Sequence, residues 1–68
     1  MKTKVNRVLV YRYRSEGHVQ EDLRRLEGIA KEAPAHLRKA ILEICEQIRI
    51  AHALGVPLKP GDELYALV

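Results

Sequence analysis

Apolar positions recur along this chain in two rhythms. Between residues 19 and 33 they are Val19, Leu23, Leu26, Ala30 and Ala33, stepping by four, three, four and three. That spacing places them on one face of an α-helix. Glu21 and Asp22 stand in its first turn, where acidic side chains favour the helix dipole. Glu21 with Arg25 and Glu27 with Lys31 form i,i+4 pairs on the polar side. Pro34 then interrupts the pattern, and because the residue before a proline avoids the helical region, the first helix is expected to end near Ala33. A second stripe, Leu37, Ile41, Ile44, Ile48 and Ala51, predicts a helix over about 35–54, starting almost at once because proline is tolerated in a first turn. Ala40, Cys45 and His52 widen this stripe, and Leu42, Ile50 and Ala53 fall outside it. The second helix is therefore apolar on more than one side.

The two ends of the chain have a different period. Residues 5–13 are rich in β-branched and aromatic side chains and predict a strand. One face carries Val5, Arg7, Leu9, Tyr11 and Tyr13, and the other Asn6, Val8, Val10, Arg12 and Arg14, so both are apolar at the centre and both are expected to be partly covered. Gly55 followed by Pro57 is a helix stop, and "KPGD" places Pro60 and Gly61 where a type II turn wants them. "ELYALV" closes the sequence as a short strand. The order is β-α-α-β, an α+β class with an antiparallel two-helix hairpin, in one domain spanning residues 1–68.

Size changes the picture. A chain of 68 residues buries only about 60% of its unfolded surface. Its single cysteine permits no internal disulfide. With apolar residues on several sides of the second helix, the expectation is a homodimer through that helix (Leu42, Ile50 and Ala53), through the first strand, or through both. No stretch reaches the length of a membrane span, and no targeting segment is read at the N-terminus, which points to a cytoplasmic protein without a membrane partner.

Charge is distributed unevenly. Residues 1–14 hold Lys2, Lys4, Arg7, Arg12 and Arg14 with no acid, a net +5, whereas residues 15–68 hold seven bases and nine acids, a net −2. A localised positive field attracts an anionic partner. It also describes an edge strand whose charges keep it from pairing.

Reactive constellations are sparse. Cys45 and His52 share a helix face but lie about 10 Å apart along it, too far for a catalytic dyad, and both read as core residues. His18 and His36 have no companion at metal-ligand spacing. The acidic pairs Glu21–Asp22 and Asp62–Glu63 are sequence neighbours, which do not face each other across a cleft. The expectation is a non-enzymatic protein with no metal, no cofactor and no small-molecule substrate.

Two families share parts of this pattern. The basic strand followed by two helices, over residues 4–54, is similar in layout to ribbon-helix-helix proteins, whose paired N-terminal strands enter the DNA major groove. That resemblance implies contacts to nucleic acid from Lys4, Arg7, Tyr11, Arg12, Tyr13 and Arg14, with the helix start at Ala35 and His36 offering backbone N–H groups to a phosphate. The longer strand, the longer helices and the C-terminal strand depart from that plan. Residues 21–67, "EDLRRLEGIAKEAPAHLRKAILEICEQIRIAHALGVPLKPGDELYAL", resemble the front of RelE/ParE/HigB-type toxins, in which a two-helix hairpin folds over a sheet. That resemblance implies a shortened, non-catalytic relative, because the functional residues of the ribosome-dependent members lie mostly in later strands. The leading expectation is a regulator that binds nucleic acid through its basic strand. The alternatives are a regulator of the phage or plasmid type that inhibits or modulates a host protein by direct contact, and a shortened toxin fold.

Overall fold

The computed structural model describes residues 7–68 of the chain. Strand β1 is Val8–Arg12, helix α1 Val19–Glu32, helix α2 Ala35–Ala53 and strand β2 Glu63–Leu67, with a single 3-10 turn at Glu16–His18 leading into α1. This is the expected β-α-α-β order, with the helix limits where the stripes and Pro34 put them. Lys4 and the other residues of the first strand before Arg7 lie outside the described residues.

The strands pair antiparallel with Val8 opposite Leu67, Val10 opposite Tyr65 and Arg12 opposite Glu63. Hydrogen bonds from Val68 N–H to the Arg7 carbonyl (2.9 Å) and from Tyr13 N–H to the Asp62 carbonyl (2.8 Å) extend the ladder at both ends. The first strand thus finds its partner within its own chain.

Both turns that return the chain rest on glycine. Gly55 has a φ of 71° just after α2, its N–H reaches the His52 carbonyl, and the next N–H, of Val56, reaches Ala51. These bonds satisfy the last carbonyls of the helix in a Schellman arrangement. Gly61 has a φ of 96° in the turn closed by Asp62 N–H and the Lys59 carbonyl at 3.0 Å. That is the conformation a type II turn demands after proline.

Arg38 closes the interhelical joint. Its guanidinium donates to the carbonyls of Ala30 (3.0 Å), which also accepts the Ala33 N–H, and Ala33 (3.1 Å), at the end of α1 where regular helical donors run out. Between the helices and the sheet lies one core. Ile44, Ile48 and Cys45 of α2 are fully buried, with Val19 and Leu23 of α1, Tyr13 and Ala66 around them. The alanine at position 66 gives α2 a close seat on β2. The core stripe of α2 is the expected one. His52 is a correction, because it is exposed; it stands one turn beyond Ile48, the last fully buried residue of α2. Glu27 also departs from expectation. It binds Arg49 of α2 at 2.6 Å and so ties the two helices together.

Candidate binding surface of the sheet

Alternation along β1 sorts its side chains into two populations. Leu9, Tyr11 and, just past the strand, Tyr13 point toward the helices, and Val8, Val10 and Arg12 point away from them. On β2 the inward residues are Leu64 and Ala66, and the outward ones Glu63, Tyr65 and Leu67. The outward face is therefore apolar. Val8 is 46% exposed, Val10 47%, Tyr65 54% and Leu67 69%. Four large apolar side chains in register on two neighbouring strands form one patch with Arg12 and Glu63 at its end, 3.6 Å apart. The expectation that both faces of the first strand are partly covered holds for the inner face only. The helices form a single layer, and among the described residues nothing lies over the other side.

The basic and aromatic residues expected at a nucleic-acid interface are dispersed. Tyr13 is a core residue, and burial raises its hydroxyl pKa above the usual range. Tyr11 is half-buried, and its hydroxyl donates to the Asp22 carboxylate. Arg14 donates to the same carboxylate at 2.5 Å and stands 3.7 Å from Glu21. Asp22 is 5% exposed, so this cluster joins the end of β1 to the first turns of α1 from within. The Arg14 guanidinium holds the Asp22 carboxyl below the ordinary carboxylate range against the opposing effect of burial, and the Tyr11 hydroxyl helps. Burial first, and then the bond to Asp22, push Tyr11 well above the ordinary phenol range. Charge within this cluster is compensated. Arg7 and Arg12 remain exposed, the latter beside Glu63 in a solvated pair that contributes little. The structure thus brings Tyr11, Tyr13 and Arg14 together as a clamp between strand and helix, and leaves Arg7 and Arg12 at opposite ends of the strand.

Leu42, Ile50 and Ala53 are exposed on α2, but they do not share one patch. Leu42 and Ile50 lie about 80° apart around the helix axis, and Glu46 and Arg49 stand between Leu42 and Ala53 on the same side. The N-terminal residues Ala35 and His36 of α2 are exposed as well. Cys45 is enclosed, and burial raises its thiol pKa, which keeps it protonated and unreactive at neutral pH.

Val8, Val10, Tyr65 and Leu67 carry the patch, yet as a set they escape a search for charges and reactive groups. The signal for them is the alternation in "ELYALV", read together with the register that pairs it with "VLVYR".

Among the described residues, no group of three His, Cys, Asp or Glu side chains is arranged to hold a metal ion, and no helix is long and apolar enough to cross a membrane. Comparison with protein-family models, with curated proteins and with solved structures finds no match for this chain.

Proposed function

We propose that this protein is a small non-catalytic regulator that acts by binding another protein through its sheet. The observation that carries this reading is the outward apolar face formed by Val8, Val10, Tyr65 and Leu67. A contiguous exposed patch of that kind on so small a protein marks an interaction surface. The fate of the basic strand points the same way. Arg14 and Tyr11 are engaged by Asp22 and Tyr13 is in the core, so three of the six residues expected at nucleic acid are committed to the fold, while Arg7 and Arg12 stay exposed.

A pulldown from cells that make the protein tests this. The tagged wild type is expected to retain one protein in stoichiometric amount at both low and high salt. A Tyr65→Lys/Leu67→Lys variant with an unchanged circular dichroism spectrum is expected to lose it. Retention of nucleic acid that salt elutes would overturn the reading in favour of phosphate-driven binding, whose affinity falls steeply with salt.

A further inference from the structure

The helix layer of this protein is wider than its sheet. Two strands cover about 10 Å at their usual spacing, whereas two packed helices need about 20 Å. Gln47 of α2 donates to the Tyr65 carbonyl at 2.8 Å. It is β2, then, that lies beside α2, while α1 is tied to β1 through Asp22 and Tyr11. The part of the helix layer without strands beneath it is on the α1 side. Ile29, two turns beyond Asp22 on the same face of α1, is 52% exposed.

The two edges of the sheet also differ. In an antiparallel ladder, alternate residues exchange both of their backbone hydrogen bonds with the partner strand, and the residues between them point theirs outward. The bonds at Arg7–Val68 and Tyr13–Asp62 put the odd-numbered residues of the first strand in the first class. Val8, Val10 and Arg12 therefore present their N–H and C=O groups to the free edge. Among the described residues nothing pairs with them. On β2 the outward-facing residues are Glu63, Tyr65 and Leu67, and Gln47 already occupies the carbonyl in the middle. One edge has its central carbonyl taken by a side chain, and the other, among the described residues, has no partner.

We propose that the open edge of β1 receives an extended segment of a partner protein, which adds as a third strand beneath α1. Charge selects its chemistry. Arg7 and Arg12 flank Val8 and Val10 along this edge and are both exposed, Arg12 beside Glu63 of the neighbouring strand. The complementary segment is an apolar run of β1's own length, five residues, with Asp or Glu at each end. Its residues on one face extend the patch of Val8 and Val10, and those on the other meet Ile29. A second copy of this chain is a poor occupant for two reasons. Its own first strand is basic, and its α1 would compete for the same space above the joined strands. The proposal rests on the protein-binding reading and adds the mode of contact and the character of the partner.

Selection from a random dodecapeptide display library against the purified chain tests it. The expected winners are apolar segments with acidic ends. Their binding slows exchange of the Val8, Val10 and Arg12 amide protons by about tenfold or more, as new backbone hydrogen bonds do. A chain synthesised with N-methyl-Val10 loses a donor on the open edge and none from the β1–β2 ladder, and it is expected to lose the peptides. Tyr65→Lys, two strands away, is expected to keep them. Peptides lost with Tyr65→Lys but kept by the N-methyl chain would overturn the edge proposal and leave the protein-binding reading standing. Failure to enrich peptides, with retention of a duplex DNA or single-stranded RNA oligonucleotide, would overturn both. A dimer in sedimentation that the N-methyl group dissociates would overturn the edge proposal by showing a second copy in that place.

Discussion

The guanidinium of Arg14 meets the carboxylate of Asp22 at 2.5 Å, with Asp22 almost wholly enclosed and Arg14 still half in water. This ion pair joins the residue that leaves β1 to the first turn of α1. The second carboxylate oxygen takes the hydroxyl of Tyr11. Removing the carboxylate strands two donors, so Asp22→Ala is expected to cost about 2 kcal/mol in urea unfolding, and Asp22→Asn less, because the amide oxygen still accepts.

The same cluster sets how stability varies with pH. The carboxyl of Asp22 titrates below its ordinary value in the folded protein, so the unfolded chain takes up its proton first as the pH falls. Its contribution is complete well above pH of about 4 and is lost as the pH drops through the lowered folded value. Tyr11 has the opposite sign, since its folded pKa is raised. Its contribution is complete below pH of about 10 and is lost as the pH rises beyond that. Unfolding curves across pH check both, and Asp22→Asn is expected to flatten the acid limb.

Ile44 and Ile48 are fully buried between the helices and the sheet. Ile48→Ala is expected to destabilise by about 3 kcal/mol, the sum of lost transfer energy and the cavity left behind. For a domain of this size that is a large part of the total, so the midpoint of thermal unfolding is expected to fall by more than about 10 °C. Differential scanning calorimetry measures it.

Gly55 and Gly61 hold backbone conformations that side chains rarely adopt, although each has open space where a Cβ would go. The cost of a substitution there is conformational. Gly55→Ala and Gly61→Ala are each expected to lose about 1 kcal/mol, whereas Gly28→Ala in the exposed middle of α1 is expected to gain a similar amount. Urea denaturation of the three variants gives the signs.

Leu42 stands in water among Lys39, Glu43 and Glu46, apart from the other exposed apolar residues of its helix. Leu42→Glu is expected to change stability by less than about 0.5 kcal/mol and to leave the sedimentation mass as it is in the wild type. A change in mass would assign this side of α2 to an interface.

The elements of the fold were legible in the order of residues because each depends on local rules. Val19, Leu23, Leu26 and Ala30 repeat at the helical period, and Pro34, Gly55 and Pro60 with Gly61 mark the breaks that the backbone then makes. The reading of the surface went less far. Arg14 and Tyr13 look like solvent-facing recognition groups beside one another in a basic strand. Nothing in their local spacing tells that a carboxylate eight residues on will engage the first and that the core will enclose the second. Lys31 likewise sits at the ideal distance from Glu27 along the helix and loses to Arg49, which a different helix delivers at closer range.

What the sequence alone determined was therefore the set of elements, the limits of the helices and the stripe of α2 that becomes the core, since these follow from side-chain period and from backbone preferences acting over a few residues. Only the tertiary structure decided which face of β1 is covered, that its partner is β2, and that Gln47 takes the Tyr65 carbonyl on one sheet edge while, among the described residues, nothing pairs with the other. Those outcomes depend on contacts between residues far apart in the chain, where pairing register and the direction of approach, not local pattern, choose the neighbour.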